Sequence, residues 1–183
     1  LGTIRSSNLC TEIVEYSSDK EIAVCNLASI SLPVFVDENG CFDYNEFHEV
    51  VKVAVANLNK VIDVNMYPLK EAEYSNLRHR PIGIGVQGLA DCFIKMKIIY
   101  DSVEGIETDR KIFEVMYHAA VESSCELAMK NGKYETFDGS PASQGLLQFD
   151  LWKQTEKVYN NGFYGKDEWE ALKTKVKTHG LAN

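Results

Sequence analysis

The sequence has little of what several large protein classes require. Basic residues are scarce: 19 Lys and Arg stand against 27 Asp and Glu, which leaves a formal net charge of −8 over 183 residues. Nucleic-acid binding needs clustered positive charge, and the densest basic segment here is only Arg78-His79-Arg80. Long apolar runs and a leader-like N-terminus are also missing. We therefore expect no nucleic-acid partner, no membrane association and a cytoplasmic location.

Cysteine and histidine are present, but not in metal-binding or disulfide patterns. The five cysteines form an odd set without a CxxC pair, which argues against a disulfide framework and a zinc finger. The four histidines are scattered and include no HExxH motif. We expect reduced thiols and no metal site in this chain.

Both ends of the sequence indicate a piece cut from something longer. The chain begins at Leu1 without an initiator methionine and stops three residues after Gly180, a glycine typical of a helix C-terminus. We expect a fragment that cannot turn over a substrate alone.

Extended segments are predicted near the N-terminus. Residues 7–16 alternate polar and apolar, residues 22–30 form a second extended run, and the two are expected to lie close as a loose hairpin. Residues 34–42 are typical of a short hairpin turning at Asn39-Gly40.

Helices dominate the rest of the chain. Asp43 with Glu46 resembles a capping box for a helix running to about Val64, and a loop around Pro68 follows. Further helices are predicted over 89–96, from about 108 to 130, from Ser140-Pro141 through Gln148, and over 167–179, with 153–165 irregular. The fold class is therefore α/β and helix-rich, with 1–36 extended and 43–183 mainly helical.

The first extended segment carries candidate chemistry. Side chains two apart on a strand share a face, so Asn8, Cys10 and Glu12 would project together. A thiol can serve as nucleophile, redox centre or hydrogen-atom abstractor, a carboxylate can take a proton, and an amide can orient a hydroxyl. The alternative is an edge strand whose polar face is merely solvated and whose cysteine is inert. Cys25, in the next extended run, could approach Cys10 or be a buried structural residue.

A glycine-rich run offers a second candidate site. Residues Gly83 to Gly88 match the dinucleotide fingerprint GxGxxG, which would suit an NAD-dependent oxidoreductase. The preceding Arg-rich, proline-containing segment does not fit that context. Close backbone packing where a short strand meets a helix explains these glycines better, and Arg78 and Arg80 are expected to meet buried carboxylates rather than phosphate.

Several long motifs in order resemble one family from end to end. They are NLCTEIVEY at 8–16, AVCNLAS at 23–29, RHRPIGIGVQGLAD at 78–91, YET at 134–136 and GSP at 139–141. Together they resemble the large, catalytic subunit of class I ribonucleotide reductase of the eukaryotic type. The resemblance implies that 1–183 is a fragment of a ten-stranded α/β barrel, with an active-site finger loop near the N-terminus.

The resemblance also implies roles for single residues. Cys10 matches the cysteine that becomes a thiyl radical and removes the 3′ hydrogen of a ribonucleoside diphosphate. Glu12 matches the carboxylate that accepts the 3′ hydroxyl proton, and Asn8 the amide that binds the ribose hydroxyls, with Leu9 and Thr11 completing the substrate-binding loop. Cys25 matches one of two redox-active cysteines, its partner lying outside the chain.

The partners implied by the resemblance are a radical-generating, metal-containing small subunit, a second large subunit, and thioredoxin or glutaredoxin as reductant. No cofactor is implied in this chain, and the ATP and dNTP effectors would bind elsewhere. The stretch 153–169 departs most from the family. Alternatives are the NAD-dependent enzyme, a non-catalytic helical interaction module, and a cysteine hydrolase, the last weakened because no histidine is placed to activate Cys10.

Overall fold

Two parallel strands and a set of helices make up the fold. The computed structural model describes residues 2–7, 11 and 14–183. Its strands are β1 (Asn26–Ser31) and β2 (Ile82–Gln87). Its α-helices within the described residues are α1 (Tyr44–Val64), α2 (Lys70–His79), α3 (Leu89–Met96), α4 (Val103–Asn131), α5 (Gln148–Leu151), α6 (Thr155–Asn161) and α7 (Lys166–His179). Short 3₁₀ turns cover Leu32–Phe35 and Ala142–Gln144.

The sheet pairs β1 with β2 in parallel, in a register that joins Asn26 to Ile82 and Ser31 to Gln87. Parallel neighbours need a long crossover, which α1 and α2 provide here. This strand–helix–strand arrangement is the building unit of α/β folds. The predicted class, α/β and rich in helix, is confirmed.

Helix α1 follows its sequence prediction closely. The Asp43 carboxylate accepts hydrogen bonds from the backbone N–H groups of Asn45 and Glu46 at 3.0 and 2.9 Å, which satisfies two donors that a helix start leaves free. One face is buried at helical spacing by Phe47, Val51, Val55, Leu58 and Ile62. Each such side chain stabilises the fold by roughly 1.5–3 kcal/mol.

Two apolar clusters form the core, and α4 contributes to both. The first joins β1 and the 3₁₀ turn after it to α1, α3 and the first half of α4. The second joins the last half of α4 to α7 and to the segment 137–149. In this second cluster Lys173 of α7 is buried beside Asp150 of α5, with Nζ 2.8 Å from Oδ1. Helix α4 therefore packs in both clusters and connects them.

The hairpin prediction for 34–42 is confirmed at its turn. A single antiparallel bridge joins Val36 to Phe42, and Gly40 has a φ of 82°. The Asp37 carboxylate accepts from the N–H groups of Asn39 and Cys41, which closes the turn. The residues before it, Leu32–Phe35, form a 3₁₀ turn rather than a strand.

Several element predictions need correction. Helix α2 occupies most of the region that was expected to be a loop around Pro68. Helix α4 begins five residues before its expected start, at an N-cap where Ser102 Oγ accepts a hydrogen bond from the N–H of Gly105. The helix expected from Ser140 through Gln148 is a 3₁₀ turn followed by the separate α5, because Gly145 ends the turn with a φ of 76°. The stretch 153–165, expected to be irregular, contains α6. Helices α3 and α7 agree with prediction, α7 beginning one residue earlier.

The extended segments near the N-terminus are shorter than expected. Of the run 22–30 only 26–30 belongs to a strand, β1, and residues 14–25 have no regular structure. Thr11 has a φ of 63°, in the left-handed region that interrupts a strand and that β-branched residues rarely adopt. The described parts of the two runs do lie close, since Glu15 hydrogen-bonds Cys25 and the N–H of Ala23 donates to Ser17 Oγ at 2.9 Å, but no strand ladder joins them.

Within the described part of the chain, no helix has both the length and the apolar character that crossing a membrane would require.

Candidate active site

Cys25 lies immediately before β1 and is half-buried. Its Sγ has a long contact of 3.9 Å with the carbonyl oxygen of Asn26. On β2, Gly83 is paired with Leu27, and an added Cβ there would lie 2.5 Å from Leu27 Cδ2 and 3.6 Å from the Cys25 sulfur. The absence of a side chain at Gly83 therefore leaves room chiefly for the Leu27 side chain beside Cys25.

The Cys25 thiol is held in its protonated form. Burial raises its pKa to about 12, and the charge of the neighbouring Glu15 carboxylate together with a hydrogen bond to it adds to the effect. The thiol donates and the carboxylate accepts. Burial also raises the pKa of Glu15, opposed by this hydrogen bond and by the charge of His79. At neutral pH the sulfur therefore carries a hydrogen, not a negative charge.

The buried carboxylate of Glu21 connects the segment before β1 to the end of α2. Its Oε2 lies 2.9 Å from His79 Nε2 and 3.6 Å from Arg78 Nη1, while only 6% of its side chain is exposed. His79 Nδ1 in turn lies 2.7 Å from Thr136 Oγ1. Arg78 lies near this buried carboxylate as expected, but its hydrogen bond runs from Nε to the exposed carboxylate of Glu135 at 2.9 Å. The Glu21–His79–Thr136 chain links three separate segments.

Arg80 also pairs as expected, although with a half-exposed acid. Its guanidinium donates to both oxygens of Asp63 at 2.7 and 3.0 Å and to Asn59 Oδ1 at 2.9 Å. Asn183 donates to the same Asn59 oxygen at 2.9 Å and reaches the Arg80 carbonyl at 3.4 Å. These bonds hold Asn183 beside Arg80, two residues before β2.

A cavity of about 1000 Å³ opens beside this network. The N-terminal segment forms one wall through Ile4, Val14 and Glu15, and the loop containing Thr136 and Ser140 forms another. This volume lies at the upper end of the range for small-ligand sites. Lining residues come from both sides of the stretch 8–13, which holds three of the predicted catalytic residues.

The structure gives information on two of the six predicted site residues. Thr11 is exposed, and Cys25 is half-buried as described above. The other four, Asn8, Leu9, Cys10 and Glu12, lie outside the described residues. The shared strand face proposed for these side chains has no support at Thr11, whose backbone is not extended.

The dinucleotide fingerprint is not formed. Gly83 and Gly85 are paired inside the ladder, opposite Leu27 and Ser29, and only Gly88 lies in the turn to α3. A phosphate-binding glycine loop would need these residues after the strand, at the helix N-terminus. The expected packing role is confirmed at Gly88, whose φ is 74° and where a Cβ would lie 2.8 Å from the ring of Pro33.

Two groups of neighbouring side chains could not be predicted from the sequence. Glu15 gave no signal of its contact with Cys25, which is ten residues away and joined to it through an irregular segment. The histidines, scattered in sequence, are partly gathered in space: His48 and His118 meet Glu122 in a cluster.

Comparison with known proteins gives a consistent result over the whole chain. Residues 1–183 match the family described as "Ribonucleotide reductase, barrel domain". The ribonucleoside-diphosphate reductase large chain of Cryptosporidium parvum is 55% identical over 184 residues, and the large subunit of Variola virus is 55% identical over 183. Large chain 2 of Saccharomyces cerevisiae is 53% identical over 188 residues. Each alignment covers 100% of this chain but only 22%, 23% and 21% of the respective relative, so the chain spans about one fifth of their length.

Proposed function

This chain belongs to the ribonucleotide reductase barrel-domain family, and we propose that it forms part of the catalytic barrel of a ribonucleoside-diphosphate reductase large subunit. The observation that carries the proposal is the similarity to reductase large chains along all 183 residues, at 53–55% identity. The proposed reaction converts a ribonucleoside diphosphate to its 2′-deoxy form for DNA synthesis.

Three residues of the N-terminal loop have the proposed catalytic roles. Cys10, as a thiyl radical, takes the hydrogen atom from C3′ of the ribose. Glu12 accepts the proton of the 3′ hydroxyl, and Asn8 hydrogen-bonds the ribose hydroxyls without adding a competing charge. Leu9 and Thr11 complete the substrate-contacting loop.

Cys25 is proposed to act with a cysteine outside this chain as the reducing pair. One thiol proton leaves with the 2′ hydroxyl as water, C2′ receives the second hydrogen, and the two sulfurs join as a disulfide. The proton on Glu12 returns to the 3′ oxygen, and the hydrogen atom on Cys10 returns to C3′. The dithiol is thus oxidised by two electrons as the nucleotide is reduced by two.

The environment of Cys25 supports this role. A reducing thiol must bring its hydrogen to the reaction, and with a pKa of about 12 Cys25 keeps that hydrogen at neutral pH. A nucleophilic role for Cys25 would need the opposite, a thiolate made available by a lowered pKa. The charge of Glu15 beside the sulfur opposes thiolate formation and so favours the reductive role.

The partners proposed for the full protein follow from the same family. A metal-containing small subunit would generate the radical, and a second large subunit would complete the assembly. Thioredoxin or glutaredoxin would reduce the disulfide, and ATP and dNTP effectors would bind outside these residues. We place the enzyme in the cytoplasm, where reduced thiols such as Cys41 and Cys125 are stable.

The proposal is tested by following the oxidation state of Cys25 through one turnover. The full-length large subunit containing this chain is reduced, freed of external thiol, and given the small subunit and CDP. Alkylation before and after chemical reduction, read by peptide mass spectrometry, locates disulfides. We expect one disulfide per dCDP formed, with Cys25 in it and the exposed Cys41 still free. Formation of dCDP with Cys25 still alkylatable would contradict the assigned role.

A further inference from the structure

Two helices that pack side by side bring three metal-binding side chains together. On α4, His118 and Glu122 are four residues apart and therefore share a face. On α1, His48 faces them, with its Nε2 3.3 Å from Glu122 Oε2. One potential ligand atom from each residue lies within 4.8 Å of the other two.

One ring nitrogen of His118 lacks the hydrogen bond that a buried imidazole nitrogen normally has. The residue is only 8% exposed, and its fully buried Nδ1 has no hydrogen-bond partner among the described residues. The ring is fixed by stacking on Tyr164, with centroids 3.9 Å apart, and by an edge contact with Trp169 at 5.0 Å. A buried polar nitrogen without a partner is costly and requires an explanation.

His48 is oriented in the manner of a metal ligand. Its Nδ1 lies 3.3 Å from the Glu49 carboxylate, while Nε2 points to Glu122. A carboxylate on the far nitrogen of a ligating histidine fixes the ring and increases its basicity.

The surrounding charges also favour a cation. Lys52 contacts Glu122 at 3.4 Å but lies closer to Glu126, at 2.8 Å. Glu126 can therefore keep its ion pair with Lys52 while the Glu122 carboxylate binds a metal ion. The three carboxylates of Glu49, Glu122 and Glu126 outnumber the two nearby ammonium groups, those of Lys52 and Lys175.

We propose that His48, His118 and Glu122 bind a divalent transition-metal ion, with Zn²⁺ the preferred species, and that the ion fastens α1 to α4. Two imidazoles and one carboxylate form a common zinc ligand set, with water in the fourth position. Tetrahedral zinc places neighbouring ligand atoms about 3.3 Å apart. The His48–Glu122 pair already has this spacing, and the wider distances require small side-chain rotations.

The test uses the full-length protein that contains this chain, stripped of metal by a chelator. Zn²⁺ is titrated in competition with a chromophoric chelator, and Co²⁺ is titrated separately because four-coordinate Co²⁺ has a characteristic visible absorption. The variants are His48→Ala, which removes a partly exposed ligand, and Glu122→Gln, which keeps size and removes charge. The matched control is His179→Ala, an exposed histidine outside the cluster.

We expect the wild-type protein and His179→Ala to bind one more equivalent of each metal than His48→Ala. Glu122→Gln should bind that equivalent at least about tenfold more weakly. Equal stoichiometry and equal Co²⁺ absorption in wild type, His48→Ala and Glu122→Gln would overturn the proposal. Circular dichroism of each variant verifies that it has folded before the titration is compared.

Discussion

At the scale of single residues, the protonation of the Cys25 thiol depends on the carboxylate of Glu15 beside it. Burial raises the pKa of the thiol, and the nearby carboxylate of Glu15 raises it further. A negative charge disfavours formation of a second negative charge on the sulfur. The two residues therefore form a unit in which the acid keeps the thiol protonated.

This coupling predicts the effect of Glu15→Gln. Because the amide carries no charge, the pKa of Cys25 should fall below its value of about 12, while burial keeps it above that of a free thiol. The measurement is the rate of Cys25 alkylation as a function of pH, followed by peptide mass spectrometry. The exposed Cys41 in the same samples serves as the internal control and should keep its profile. An unchanged Cys25 profile would mean that Glu15 does not influence the sulfur.

Residue types predicted some contacts well, and chain separation hid others. Arg78 was expected to meet a buried acid because an acidic protein offers many carboxylates, and it lies 3.6 Å from the buried Glu21 while donating to the exposed Glu135 at 2.9 Å. The cluster of His48 with His118 was missed because 70 residues separate the two, and only the packing of α1 on α4 joins them. The catalytic assignments at Asn8, Cys10 and Glu12 rest on the family resemblance rather than on geometry.

At the scale of elements, Gly88 determines how β2 passes into α3. Its φ of 74° lies in the left-handed region, and the ring of Pro33 occupies the space that a side chain would need. Gly85, three residues earlier in β2, has no such restriction, since its nearest neighbour would lie 3.6 Å from an added Cβ. The two glycines therefore have different structural roles.

Alanine substitution distinguishes these roles. Gly88→Ala should lower the free energy of unfolding by about 2 kcal/mol, because the left-handed backbone and the contact with Pro33 both disfavour a side chain. Gly85→Ala should change it by less than about 0.5 kcal/mol. Urea unfolding followed by circular dichroism measures both variants. Equal effects at the two positions would show that the turn geometry has been misjudged.

Elements with an apolar face could be predicted, and those held by polar contacts could not. The long apolar stripe of α1 and its Asp43 cap are both visible in the sequence. Helix α2 buries only Ala72, Ser75 and Asn76, so it has no apolar periodicity, and contacts such as the bond from Ile22 N–H to the Glu71 carbonyl hold it in place. The first turn of α4 was missed for the same reason, since Val103 and Ile106 are exposed.

At the scale of the whole molecule, the sheet is small for the class of fold. In the described ranges β1 and β2 pair only with each other, which leaves an outer edge on each strand. Parallel sheets are normally covered on both faces. Several large apolar side chains are also exposed, among them Leu27, Met66 and Ile94. We expect the rest of the barrel to pair with the free strand edges in the full-length protein.

The central claim, radical reduction at Cys10, is tested most directly by measuring CDP reduction. The full-length large subunit is combined with its small subunit and a dithiol, and wild type is compared with Cys10→Ala and with the matched control Cys41→Ala. We predict that Cys10→Ala binds CDP but forms no dCDP, while Cys41→Ala retains its activity. Appreciable dCDP formation by Cys10→Ala would contradict the assignment of Cys10 as the radical site.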